Sequence, residues 1–204
     1  MTDATAIFRA VGDPDLKRLV ALLDAGADPN SVNPDVGNTP LYNACFGDHL
    51  DAVRLLLARG ADPNKRIVYR SPVDGRVEEG VVALMFARSA EVALALLGAG
   101  ADPNAQDAAG RTALMRAAVG GTPEQVTVLI VAGANVTARD KKGATAADAV
   151  KARLQWLKDF HSSLKENEAR ARKTELESIL ATLGGEGTIC GLAQQIAGGE
   201  RQQE

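Results

Sequence analysis

Three copies of one pentapeptide, Gly-Ala-Asp-Pro-Asn, constrain this chain more than any other feature. They occupy 26–30, 60–64 and 100–104, and a decayed fourth copy opens Gly133-Ala134-Asn135. Successive copies begin 34, 40 and 33 residues apart. A period near 33 residues means a stack of small supersecondary units, each burying its apolar face against its neighbours.

Each copy closes an apolar run: Leu16–Leu23, Leu50–Leu57, Ala90–Leu97 and Val126–Ile130. Leu50, Val53, Leu56 and Leu57 recur at helical spacing, as do Leu16, Leu19, Leu22 and Leu23. The glycine that follows supplies a left-handed helix stop, and Asp-Pro forces an extended path after it. A shorter helix is predicted upstream. It opens Thr39-Pro40-Leu41-Tyr42-Asn43-Ala44 in the second unit and Thr112-Ala113-Leu114-Met115-Arg116-Ala117 in the fourth. Proline is well placed in a first helical turn, and the small Ala44 and Ala117 let neighbouring helices approach closely.

These segments resemble the ankyrin-repeat family, whose signature is T-P-L-H-x-A within two helices and a β-turn. Residues 107–112 and 140–145 match that family's hairpin tip, D-x-x-G-x-T. The resemblance covers roughly three quarters of the chain. It implies an all-α solenoid of about five units: 3–35, 36–69, 78–106, 107–139 and one opening at 140. The solenoid then fills 1–149, a long capping or extension helix 150–183, and a tail 184–204 that is either ordered or disordered.

Composition agrees with thin, close-packed layers: 204 residues, 46% hydrophobic, only 3% aromatic. That apolar content excludes global disorder. A net charge of -3 offers no basic field for nucleic acid or an anionic membrane. No apolar stretch reaches the 18 residues a membrane span needs. The N-terminus lacks a signal core, so a cytoplasmic protein is expected. The alanine-rich composition is of a bacterial kind. Of the two cysteines, Cys45 sits at a small helix position and reads as a packed thiol.

No convergent catalytic constellation is found, so neither enzyme activity nor a cofactor is expected. His49 and His161 lie in different units, without ligand spacing for a metal. His49 reads as an inter-helix turn residue and His161 as a cap-edge residue. Asp28, Asp62 and Asp102 read as turn formers.

The spacing fails in three places. Sixteen residues, not six, separate Asn64 from its following glycine Gly80, so about ten are inserted. The insert has β-prone arms around Val73-Asp74-Gly75-Arg76, and Asp-Gly signals a tight turn. An elongated finger pairing Ile67–Ser71 with Arg76–Glu78 is predicted. It is either a partner contact or a tolerated loop insertion. Next, Leu84 to Gly100 spans 16 residues against 19 in the neighbouring units, so about three are missing around Arg88-Ser89-Ala90. Last, after Thr145 the chain reads as a long helix to about Leu183, carrying Val150, Leu154, Leu157, His161 and Leu164 on one stripe with Trp156 and Phe160 alongside. Trp156 is expected to pack. The mixed charge of 165–175 interrupts the stripe. Either the helix extends past the stack, or the chain bends back after Glu175. The apolar patch 176–183 then wants a partner, a dimer mate or a self-docking groove.

The resemblance implies a non-enzymatic module that binds another protein through its concave face. Contacts by matching position are Asp35, Val36, Asn38, Tyr42 and Phe46 in the second unit. The long finger adds Arg66, Val68, Tyr69, Arg70 and Arg76. The fourth unit adds Arg111, Arg116 and Val119, and the fifth Lys141 and Lys142. Phe46 and Tyr69 are the expected anchors. Two further readings stay open: an inhibitor or immunity-type protein neutralising a toxin or enzyme, and an exported adaptor acting on host proteins.

Overall fold

Helices of this chain form two parallel rows, as its computed structural model shows for residues 5–13, 15–159 and 166–184. The inner row holds α1 (Ala6–Ala10), α3 (Pro40–Phe46), a 3-10 turn (Ala83–Phe86), α6 (Ala113–Gly120) and α8 (Ala146–Asp159). The outer row holds α2 (Lys17–Asp24), α4 (Leu50–Ala58), α5 (Ala90–Gly98), α7 (Pro123–Val131) and α9 (Glu166–Gly184). Elements pack within their rows, α3 on the 3-10 turn, that turn on α6, and α6 on α8. In the outer row α4 packs on α5, α5 on α7, and α7 on α9. The expected helical solenoid is what the chain forms.

Repeated positions build the core. Leu41, Leu84 and Leu114 share one repeat position, and Leu56, Leu96 and Leu129 another; all are 2% exposed or less. Each such leucine contributes about 1.5–3 kcal/mol of burial. Cys45 lies among them at 0% exposure, and burial pushes its thiol pKa up. Helices start at side-chain caps: Thr39 accepts from the Tyr42 N–H at 3.2 Å, and Thr112 from Met115 at 3.3 Å. Ser89 and Thr122 cap α5 and α7 in the same way.

The pentapeptide does three jobs at once. Its glycine is left-handed, with φ of 86° at both Gly60 and Gly100. Its aspartate accepts from the N–H two residues on, Asp62 from Asn64 at 2.8 Å. Its asparagine bridges to the next unit. Asn30 Nδ2 donates to the Gly60 carbonyl while Asn30 Oδ1 accepts from the Asp62 N–H, both at 2.8 Å. Asn64 repeats this with Gly100 and Asp102, and Asn104 with Gly133 and Asn135. The fourth copy has Thr137 in place of the asparagine, and its hydroxyl turns back to Asn135.

The finger is a two-stranded hairpin, β1 (Ile67–Arg70) and β2 (Val77–Val81), antiparallel, with Tyr69 opposite Glu78. Its second strand runs three residues beyond the expected Glu78, because a register shift between Ile67 and Val68 lets Val81 pair with Ile67. The hairpin is stitched to both neighbours. The Arg70 N–H donates to the Val36 carbonyl and the Ala108 N–H to the Glu79 carbonyl, each at 2.8 Å. Gly37 permits the first contact: a Cβ there would lie 1.9 Å from the Val68 oxygen.

The missing residues of the third unit shorten its inner helix to the 3-10 turn. Val82 stands where the second, fourth and fifth units have the capping Thr39, Thr112 and Thr145, and no side chain caps this turn. The turn ends at Ala87, whose carbonyl accepts from Gln125 Nε2 at 2.5 Å. Gln125 takes the buried position held by Ala52 and Val92 in the units before it.

The C-terminal segment is two helices, not one. α8 ends at Asp159, and α9 begins at Glu166 and runs unbroken past Glu175. α8 and α9 pack together and extend the inner and outer rows as an oversized fifth pair. Val150 and Leu157 are buried, as are Leu176 and Ile179 at 0% exposure. Within the 176–183 patch Leu176 and Ile179 are thus buried inside the chain and Leu180 and Leu183 half-buried, in keeping with the self-docking alternative. Arg172 of α9 donates to the Val119 carbonyl at 2.5 Å and to Gly121 at 3.3 Å, at the C-terminal end of α6 where carbonyls lack helical partners. Trp156 does not enter the core: it is 39% exposed, with the Arg153 guanidinium 4.2 Å over its ring. Phe160, His161, Leu164 and the tail lie outside the described residues. Among those described, no helix is long and apolar enough to cross a membrane.

Candidate protein-binding face

An aromatic stripe crosses the inner row from the finger to the helix ends. Tyr69 of β1 stands 4.9 Å from Tyr42 of α3, and Tyr42 stands 4.5 Å from Phe86 of the 3-10 turn. Phe46 stacks on Tyr42 at 6.2 Å, one helical turn further along α3. Such ring pairs contribute about 0.5–1.5 kcal/mol beyond burial. The inserted finger therefore holds the second and third units together as well as projecting from them.

Arginines lie over this stripe. Arg116 sits 4.6 Å over Phe86 and Arg88 sits 5.8 Å over Phe46. Arg116 and Phe86 occupy the same repeat position in adjacent units, so stacking follows from the period itself. Arg116 also pairs at 3.1 Å with both Glu78 and Asp107. Arg111 closes the network, at 2.9 Å from Glu78 and 2.8 Å from Asp107. Burial opposes the Asp107 charge, but the Arg111 backbone N–H and the two guanidinia outweigh it and hold its carboxyl below the usual range. The Arg111 pKa is raised: burial disfavours its charge, and Glu78 and Asp107 more than compensate. The network locks finger, fourth tip and α6 in one geometry.

Beside the shortened turn lies a cavity of about 390 Å³. Phe46, Met85, Phe86, Arg88, Arg116, Gly120, Gly121 and Gln125 are among the residues that line it.

The expected contact residues separate into groups. Phe46 and Val68 are 52% and 55% exposed, and Arg70, Arg76, Asp35, Lys141 and Lys142 are exposed as well. Tyr69, Val36, Arg111, Arg116 and Val119 are half-buried. Tyr42 and Asn38 are corrected: at 2% and 6% exposure they cannot meet a partner. Tyr42 is covered by the finger's Tyr69, and its burial pushes the phenol pKa up. Asn38 Nδ2 donates to Asn43 Oδ1 at 2.6 Å. Arg66 is exposed but is a brace, donating to the Gly80 and Gln106 carbonyls. Phe86, Arg88 and Gln125 were not expected. For Arg88 the signal was the shortened spacing of the third unit, and for Gln125 a polar residue where that position is apolar in the units before it. His49 lies in the turn before α4 with its ring against Gly47. No cluster of three metal-ligand side chains occurs among the described residues.

Comparison with known proteins agrees with this architecture. The profile of the family described as Ankyrin repeats (many copies) matches residues 7–57 and 81–130, on either side of the finger. The chain is 34% identical over 133 residues to SH3 and multiple ankyrin repeat domains protein 2 of Homo sapiens, covering 63% of this chain and 7% of that protein. It is 36% identical over 132 residues to Ankyrin repeat and SOCS box protein 6 of Homo sapiens, covering 61% and 30%. A shorter match, 42% over 64 residues, is to the 2-5A-dependent ribonuclease of Mus musculus, covering 31% and 9%. The chain spans less than a third of the length of each of these relatives. Ankyrin repeats are in general non-catalytic modules for protein–protein interaction, although one of these relatives is a ribonuclease that carries them. By its period, its paired helix rows and its matched profile, this chain belongs to the ankyrin-repeat family.

Proposed function

We propose that this chain binds a partner protein through the inner face of its second to fourth repeats, with the 65–79 finger forming part of the surface. The observation that carries this reading is the half-open aromatic and arginine stripe, where Phe46 is 52% exposed under Arg88 and beside a cavity. Aromatic and arginine side chains are enriched in binding hot spots, the aromatics because they bring large area with few rotors and arginine because its guanidinium both stacks and hydrogen-bonds.

Quantitative affinity purification tests the reading. Wild type is compared with Phe46→Ala plus Arg88→Ala on the inner face, and with Leu94→Ser on the outer row, where Leu94 is 52% exposed. A partner recovered by wild type and Leu94→Ser, but roughly tenfold depleted with the double variant, is the expected result. Equal recovery with all three chains overturns the reading.

A further inference from the structure

The cavity beside the shortened third turn has a defined chemistry. Its walls mix the apolar Phe46, Met85 and Phe86 with the polar Arg88, Arg116 and Gln125, and at about 390 Å³ it falls in the range of formed ligand pockets. Two buried polar atoms of its lining residues have no hydrogen-bond partner among the described residues: Arg116 Nε and Gln125 Oε1, with Gln125 only 2% exposed. Both atoms are covered, so the groups a ligand meets are the exposed ring of Phe46 and the Arg88 guanidinium.

Charge narrows the occupant. Arg116 is matched by Glu78 and Asp107. Arg88, exposed at the rim, has no ion-pair partner among the described residues and rests over the Phe46 ring. We infer that the cavity receives from a partner protein one large apolar side chain flanked by an acidic residue, the apolar group against Phe46 and Phe86 and the carboxylate on Arg88. The inference rests on the inner-face reading above. A guanidinium takes a carboxylate through two parallel hydrogen bonds, while a basic flank meets repulsion at the same place.

A random dodecapeptide display library is the probe, selected against the full chain as wild type, Gly120→Leu and Arg88→Glu. Gly120 has ordinary φ and nothing within 4 Å of an added Cβ, so leucine fills the mouth without strain. Leucine is also the better helix former. Wild type is expected to enrich peptides with Phe, Trp or Leu beside Asp or Glu. Those peptides bind Gly120→Leu about tenfold more weakly, and Arg88→Glu enriches Lys or Arg in place of the acid. Enriched peptides that bind Gly120→Leu as well as wild type, or an acid preference unmoved by Arg88→Glu, overturn the inference. If such peptides are instead lost with Val68→Ala plus Tyr69→Ala, the inner-face reading stands without the cavity. A library that enriches nothing on wild type overturns the cavity inference alone, since affinity purification judges the inner face separately.

Discussion

The side-chain amide of Asn64 donates to the carbonyl of Gly100 at 2.8 Å, one whole repeat away. The same side chain accepts from the Asp102 N–H, so one residue fastens two backbone groups of its neighbour. Asn64→Ala removes both bonds and is expected to lower stability by about 1–3 kcal/mol. Urea unfolding measures it. An unchanged midpoint would show that these bridges are incidental to the stack.

Gly37 is set against the finger. It has φ of 77°, and an added methyl meets the Val68 carbonyl oxygen at 1.9 Å. Gly37→Ala is expected to destabilise the chain by about 1–3 kcal/mol. It should also release the Arg70 N–H from the Val36 carbonyl, seen as faster amide exchange at Arg70. Unaltered exchange at that amide would contradict the docking of the finger on the second repeat.

Asp107 makes stability depend on acid. Its folded pKa lies below the unfolded value of about 3.9, so its contribution is complete above about pH 4. That contribution is lost as pH falls through the lower folded value. Unfolding midpoints measured from pH 6 down to pH 2 should fall more steeply for wild type than for Asp107→Asn. At neutral pH the variant should already be weaker, because Arg111 and Arg116 lose a partner. Parallel pH profiles would contradict the assigned role.

Leu176 is expected to act within one chain. It is 0% exposed in the outer row, where α9 packs on α7. Leu176→Ala should lower stability by about 2–5 kcal/mol and leave the oligomeric state unchanged. Calorimetry and light scattering together check both halves. A dimer that dissociates on this substitution would restore the surface reading of the patch.

Much of this was legible in the sequence because it is local. Gly60 and Asp62 act within a few residues, and periodicity alone placed Leu56 and Leu96 in the core. Asp74-Gly75 announced the hairpin. What escaped detection depends on distant parts of the chain. Tyr42 looked available because its cover, Tyr69, comes from an insert 27 residues later. The Asn64 bridge has its partner 36 residues away, and Gln125 reaches back 38 to Ala87. The end of α8 at Asp159 was not foreseen, because the apolar stripe of 150–164 runs on past it in the sequence. The candidate site was therefore found in outline, through Phe46 and the finger. Phe86 and Arg88 were missed because no contact was drawn from the shortened third unit, although Phe86 keeps the repeat position of Arg116.

The central claim is that the inner face, and not the outer row, meets the partner. Site-specific photo-cross-linking tests it most directly, with a benzophenone side chain placed at Phe46, Val68 or Leu94 in turn. All three positions are more than half exposed, so each accepts the probe. Cross-links to the partner from Phe46 and Val68 and none from Leu94 are predicted. Cross-linking from Leu94 with none from Phe46 would contradict the account.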